Sequence, residues 1–243
     1  MRLKALIKPV FKYLGIDLTR NMRYDRLSER ILKAHLQPGS NCVDVGSHEG
    51  EFLSHFLKYA PQGTHFAFEP IPDLFQQLEQ HFGNKVRIFP CALAASQGES
   101  SFQYVVNAPA YSGLKQRRYD IKSPEIKEIK VELQRLDALL PPDLKIDFIK
   151  IDVEGAEMGV IQGGIHTITK WKPLVLFEFG KGASDYYGTQ PDELYDLLTL
   201  EAGLQIFSLA NYLHNKPAFS RADFIHCYEN ICEYYFVAAN PSA

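Results

Sequence analysis

The stretch NCVDVGSHEG, Asn41 to Gly50, decides how this chain folds. Asn41 to Val45 is short and apolar, as a buried strand is, and Gly46 to Gly50 is a glycine-bounded turn. Glu51 to Tyr59 continues with helical spacing. Strand, glycine turn and helix in that order open a parallel α/β unit. In such a sheet, ligands bind at the carboxyl ends of the strands, where this turn falls. Gly46 can adopt backbone angles closed to other residues and lets a ligand approach the main chain. The amides after Gly50 can receive polar or anionic groups. Asp44, Gly46, Ser47, His48 and Gly50 are therefore the first candidate ligand-binding residues.

The nicotinamide pattern GxGxxG is absent, because His48 stands where its second glycine would make room for a pyrophosphate. A ligand without a pyrophosphate fits better, and S-adenosylmethionine is one. Glu69, in Phe68-Glu69-Pro70, ends the next expected strand about 20 residues on, where an acid accepts hydrogen bonds from ribose hydroxyls. A third strand, Val86 to Pro90, runs into Cys91-Ala92-Leu93, whose backbone and apolar side chains would flank an adenine ring. Pro70, Ala92 and Leu93 join the candidate cofactor residues.

The alternation continues to the end of the chain. Thr64–Phe68, Ile146–Ile151 and Leu174–Phe179 carry strand character, and Pro72–Phe82, Ala156–Thr169 and Pro191–Ala202 carry helix character. Leu204–Leu209 and Glu233–Ala238 close the series. Residues 98–140 break the rhythm with two strands, Ser101–Val106 and Ile129–Leu133, around a polar loop holding Tyr111, Ser112, Arg117 and Arg118. A loop of that length is often functional, and Tyr111 and Ser112 are expected to cover a substrate. Arg117 and Arg118 are expected as a solvated charge pair, with grip on an acidic acceptor as the alternative.

Three acids crowd KIDVEGAE, Lys150 to Glu157. Side chains alternate along a strand, so Lys150, Asp152 and Glu154 share one side while the chain stays extended. Asp152 reaches the crevice that Gly46 faces, where it would bind a donor's amino group, hold a metal or accept a substrate proton. Glu154, further out, would meet the substrate. Glu157 falls in a first helical turn, where a negative charge is favourable. Lys150 is placed to pair with a neighbouring acid. Glu178 arrives at the end of the next strand, and a lone acid there needs partners. Asp152, Glu154 and Glu178 are the candidate catalytic groups. Asp152 and Glu178 are hard-oxygen ligands for a divalent ion, but without a clear third ligand no metal is predicted. His214, in a late loop, is a further candidate substrate contact.

VDVGSHEG, Phe68-Glu69-Pro70, Leu133-Gln134-Arg135-Leu136-Asp137 and FIKIDVEGAE followed by Gly163-Gly164 together resemble the FkbM-type family of S-adenosylmethionine-dependent methyltransferases, in order and spacing from about Asn41 to Gly180. The resemblance implies a class I methyltransferase, Rossmann-like three-layer fold: a mostly parallel sheet with an antiparallel last strand, N-terminal helices and an inserted β segment. It implies S-adenosylmethionine as methyl donor and a small-molecule hydroxyl acceptor, of saccharide or natural-product type. Where the family often carries Asn before its Ala-Leu pair, this chain has Cys91. Two alternatives stand beside this reading: a nucleotide-dependent oxidoreductase, and a non-catalytic module that binds the cofactor and regulates a partner.

Composition sets the remaining bounds. The chain has 243 residues and a net charge of -3, with 46% apolar and 23% charged residues, ordinary for a globular domain. Residues 1–35 carry nine Lys or Arg against three acids, leaving a mildly acidic remainder. That remainder offers no basic tract for nucleic acid. Residues 1–39 are expected as a helical extension, with Leu3, Leu6, Ile7, Val10 and Leu14 opposite Lys4, Lys8 and Lys12, a break at Pro9, and a second helix from Arg23 to Leu36. Both helices are expected to pack on the core domain, with docking on a membrane surface or an acidic partner as the sharper alternative. Residues 40–243 form the cofactor-binding domain. The four cysteines lack metal-site spacing and read as structural thiols. Neither a secretory signal nor a run of roughly 18–20 apolar residues is visible, so a cytoplasmic location is expected.

Overall fold

A computed structural model describes residues 17, 19–119 and 121–240. The basic helix expected over Leu3 to Leu14 lies outside the described residues. Helix α1 (Arg20–His35) starts at Thr19, whose hydroxyl accepts a hydrogen bond from the Met22 amide at 3.2 Å. Then follow β1 (Cys42–Val45), α2 (Glu51–Tyr59), β2 (His65–Phe68), α3 (Pro72–Phe82), β3 (Val86–Phe89), β4 (Cys91–Leu93), β5 (Gly98–Val105), β6 (Ile126–Gln134) and α4 (Leu136–Leu139). The second half holds β7 (Phe148–Ile151), α5 (Glu157–Gly163), α6 (Ile165–Trp171), β8 (Leu174–Glu178), α7 (Pro191–Asp196), β9 (Gln205–Ser208), α8 (Leu209–Leu213), α9 (Arg221–Glu229) and β10 (Tyr235–Ala239).

Seven strands form the main sheet in the order β3-β2-β1-β7-β8-β10-β9. The pairs among β3, β2, β1, β7 and β8 are parallel, and β10 runs antiparallel to β8 and β9. This is the class I methyltransferase fold. The order reverses beside β1, so β1 and β7 diverge into helices on opposite sides and leave a crevice at their carboxyl ends.

Strand alternation divides the core between the two faces. Val43, Val45, Ile149, Ile151, Val175 and Phe177 meet α5, α6, α7 and α9 through Val160, Ile168, Leu194 and Phe224. Cys42, Phe148, Leu174 and Leu176 face the other way and meet Leu27 and Ile31 of α1, Leu53 and Phe56 of α2, and Leu209 of α8. Each fully buried Phe or Leu contributes about 1.5–3 kcal/mol, so α1 is bound into the core of the domain. Lys150, Asp152, Glu178 and Tyr235 occupy this second face in sequence alternation with the apolar residues.

A smaller sheet, β4-β6-β5, sits beside the first. Cys91–Leu93 continues no strand of the main sheet: after Pro90 the chain leaves it and pairs parallel to β6. Phe102, Val131, Ala92, Ile71 and Leu74 make a third apolar cluster between this sheet and the start of α3. The helix expected over residues 156–169 is two helices, α5 and α6, broken at Gly164. The one expected over 191–202 passes from α7 into a π turn, Leu197–Glu201.

Candidate active site

The Gly46 turn is built by close approach. Gly46 has φ +74, and a Cβ there would lie 2.0 Å from the Asp152 carbonyl oxygen. The Gly46 and Ser47 amides both donate to Phe68 O at the end of β2, at 3.0 and 3.2 Å. His48 follows with φ 47 and donates its amide to Glu69 Oε2 at 2.8 Å. Glu69 Oε1 accepts from the Ile71 amide at 2.9 Å. The strand-end acid thus braces the glycine turn and the start of α3 at once. Burial pushes its carboxyl up to about 7, against these backbone donors and the Lys150 charge.

Beneath the turn, Lys150 is only 5% exposed although it lies in the middle of the sheet. Its ammonium stands 3.3 Å from Asp44 Oδ1 and 4.0 Å from Asp152 Oδ2, and donates to Gly46 O at 2.6 Å and Val45 O at 3.3 Å. Asp44 is 1% exposed, and neither carboxylate oxygen has a hydrogen-bond partner. Lys150 is its charge partner. Burial alone would lower the Lys150 pKa, and the Asp44 and Asp152 charges outweigh that and hold it up. Burial raises the Asp44 carboxyl, with Lys150 pulling against it.

Asp152, Glu154 and Glu178 bring carboxylate oxygens within 4.8 Å of one another. Burial would raise Asp152, but Lys150 and hydrogen bonds from Glu178 and Tyr235 hold it below the usual carboxylate range. Burial and the Asp152 and Glu154 charges push Glu178 well up. Asp152 and Glu178 are thus pushed in opposite directions, Asp152 being the stronger acid of the two. Burial and Asp152 push Glu154 up to about 8, against its ion pair with Arg117. Glu154 also has φ 58, a left-handed conformation that costs a non-glycine residue of order 1–3 kcal/mol and gathers at functional sites. A trio of hard oxygens of this spacing has the donor set of a divalent cation site. Lys150, shared with Asp44, and Arg117 are the cations beside it.

These groups share one cavity of about 280 Å³. Gly46, Ser47, His48, Glu69, Pro70, Ala92, Leu93, Ser112, Asp152 and Glu154 line it, as does Lys150. Other expected residues lie elsewhere. Asp44 is buried below the floor behind Lys150. Gly50 caps α2 with φ +80, and a Cβ there would meet Phe82 at 2.5 Å. Glu178 stands behind Asp152. Tyr111 lies against Arg117, whose guanidinium carbon is 5.3 Å from its ring centre. Ser112 spends its hydroxyl on the Val105 amide, at 3.0 Å. Glu157, expected as a helix-start charge, is buried and accepts from the Val153 and Gly155 amides at 3.1 and 3.0 Å. His214 does not reach the cavity: the expected loop folds as α8, capped by Ser208, and leaves His214 exposed at its far end. Arg117 is no solvated charge either, with a side chain 10% exposed against Glu154.

Among the residues that sequence reasoning passed over, Asp25, Phe52, Phe102 and Tyr235 also line the cavity. Phe52 falls within the α2 pattern next to the glycine turn, which was signal enough to include it. The other three come from α1, the small sheet and β10, and only the tertiary fold brings them here.

Fold and cavity define a class: a class I methyltransferase domain with its ligand crevice at β1 and β7. The chain belongs to the methyltransferase FkbM domain family, whose model matches residues 44–206. Methyltransferase 1 of Beauveria bassiana is 30% identical over 141 residues, covering 50% of this chain and 57% of that protein. The 2-O-methyltransferase NoeI of Sinorhizobium fredii is 29% identical over 165 residues, covering 57% of this chain and 66% of that protein. The crystal structure of methyltransferase FkbM from Methylobacillus flagellatus shares the fold, with TM-score 0.51 and 15% identity over 84% of this chain and 44% of that one. The chain spans less than two thirds of the length of each of these relatives. No helix among the described residues is long and apolar enough to cross a membrane.

Proposed function

We propose that this protein transfers a methyl group from S-adenosylmethionine to a hydroxyl oxygen of a small polyhydroxylated acceptor, a saccharide or a natural product of similar chemistry. The observation that carries the reading is the joining, in one cavity, of the Gly46 turn, the Glu69 carboxylate and the Asp152–Glu154 acids. The residues fit the donor: Gly46 forms a cradle that a Cβ would fill, and Ile71, Ala92, Leu93 and Phe102 offer an apolar end for a purine. Glu69 has lone pairs left for ribose hydroxyls beyond those its backbone donors use.

When bound, the sulfonium donor supplies an electrophilic methyl carbon and a neutral thioether leaving group. The chain supplies position and charge. Asp152, kept ionised by Lys150 and Tyr235, sets negative charge beside the cationic centre. Glu154 is the group we assign to the acceptor: in its ionised form, which prevails above about pH 8 in the free protein, the carboxylate accepts the hydroxyl proton as the new carbon–oxygen bond forms. Acceptors bearing hydroxyls or amines suit this acid-lined wall, and Arg117 is already paired, which disfavours anionic ones.

Titration calorimetry with S-adenosylhomocysteine should give micromolar binding, and radiolabelled donor with a panel of neutral saccharides should give labelled product. No heat and no thermal shift at saturating ligand would sink the donor reading. Binding with label appearing only on protein or nucleic acid would sink the acceptor reading. The same titration has an expected pH dependence. Ribose hydroxyls donate to the ionised form of Glu69, which in the free protein holds its proton below about pH 7. Affinity should therefore rise with pH, by about tenfold between pH 6 and 8. Glu69→Gln, which does not titrate, should bind weakly and lose that slope; a flat wild-type profile would remove Glu69 from ribose recognition.

A further inference from the structure

Residues 44–206 carry the family match, yet part of the cavity wall comes from outside them. Tyr235 opens β10 and stands opposite Glu178 in the antiparallel register. Directly opposed residues put their side chains on the same face. The Tyr235 hydroxyl reaches past Glu178 and donates to Asp152 Oδ2 at 2.6 Å. Its ring stacks on Tyr24 of α1, with ring centres 5.5 Å apart and planes at 27°. Tyr24, 3% exposed, is itself fixed. Its hydroxyl donates to Glu233, which Arg23 also holds at 3.1 Å.

We propose that Tyr235 is the positioning residue for Asp152, and that Tyr24 wedges Tyr235 in place, so that α1 and β10 are working parts of the ligand site rather than packing around it. Asp152 directly follows β7 and stands two residues before a left-handed turn: Glu154 and Gly155 both have positive φ, at 58° and 108°. The carboxylate stands between Glu154 and Glu178, with Lys150 attracting it from below. Without a donor on Oδ2 it would be free to rotate toward Lys150 and away from the cavity. The tyrosine hydroxyl is a neutral donor, so it fixes direction without cancelling the charge that a cationic donor needs. A second cation there would have removed that charge.

The inference rests on the cavity being the S-adenosylmethionine site, and its test separates the two. S-adenosylhomocysteine is titrated into the full chain and into Tyr235→Phe, Asp152→Asn and the double variant, each with its melting temperature recorded. A hydrogen bond to a charged group is worth enough for Tyr235→Phe to weaken binding about tenfold. Asp152→Asn should weaken it at least as much, and the double variant should bind no more weakly than Asp152→Asn alone, because Tyr235 acts through that carboxylate. Tyr234→Phe, which loses a hydroxyl bonded to Asn21 on the outside of the same strand start, should bind as wild type. Tyr24→Leu should weaken binding in the wild-type background and add nothing to Asp152→Asn. Wild-type binding by Tyr235→Phe or by Asp152→Asn overturns the proposal, as do Tyr235 and Asp152 effects that multiply in the double variant. Equal weakening by Tyr24→Leu in both backgrounds reduces α1 to packing and overturns its half. Wild-type protein that binds no S-adenosylhomocysteine overturns the donor reading itself.

Discussion

Lys150→Met should lower the melting temperature by roughly 10 °C and abolish ligand binding. Methionine keeps the length and apolar bulk of the lysine stem, so the change removes little beyond the ammonium. That ammonium is the charge partner of Asp44, which is 1% exposed and has no hydrogen bond on either carboxylate oxygen. Breaking a buried ion pair from one side costs about 3–5 kcal/mol, because a buried charge is left alone. In a domain of this size each kcal/mol moves the midpoint by about 2–4 °C. Two carbonyl acceptors, Val45 O and Gly46 O, lose their donor as well. The site suffers separately: Asp152 loses a cation 4.0 Å away, and the three clustered acids then hold more protons. Removing the orphaned charge separates the two effects. The double variant Asp44→Asn/Lys150→Met should recover most of the stability, since a neutral amide is cheaper to bury than a carboxylate, while binding stays lost. Thermal melts of the three proteins check this. A single variant that melts within two or three degrees of wild type would mean that Asp44 is already protonated and that Lys150 serves the loop carbonyls alone.

The difference between what Lys150 shows in the sequence and what it does in the fold illustrates where sequence reading stops. β1, β2, β7 and β8 were legible because each is a short apolar run ended by an acid or a glycine, and a buried parallel strand must be apolar on both faces. Those same endings place Gly46, Glu69, Asp152 and Glu178 at one edge of the sheet. Which acid is paired with which cation was not legible, because the partners come from other strands at a register the sequence does not state. Lys150 neutralises Asp44 as well as Asp152, and Arg117, expected in solvent, reaches Glu154 from the long loop. Cys91–Leu93 was expected as the tail of a main-sheet strand because apolar runs on either side of Pro90 look continuous; the proline ends the ladder, and Cys91 to Leu93 find β6 instead. Tyr235 and Asp25 carry no local signal. They matter through contacts more than 80 residues away in the chain for Tyr235, and through the docking of α1 for Asp25. Tertiary geometry alone could assign them.

Gly46→Ala should cost more than its added methyl group implies, and a second glycine measures how much. At φ +74 an L-residue bears about 1–2 kcal/mol of left-handed strain. Gly188 has nearly the same angle, φ +75, and open space around it, so Gly188→Ala should show that strain and nothing else. At Gly46 the new Cβ would also lie 2.0 Å from the Asp152 carbonyl oxygen, a backbone atom that cannot swing aside. Relief requires the ends of β1 and β7 to separate. That movement breaks the Asp152 amide's hydrogen bond to Val45 O, now 3.1 Å, and displaces Gly46 O, the closest acceptor of the Lys150 ammonium. It also carries Asp152 away from Tyr235. The alanine at position 46 should therefore reduce S-adenosylhomocysteine binding more than a hundredfold and lower the melting temperature well beyond the few degrees expected of Gly188→Ala. Calorimetry and thermal melts of the two variants make the comparison. Equal, small effects from both would mean that backbone angle is the whole requirement at Gly46, and that the close approach of β1 to β7 does not hold the ligand crevice in shape.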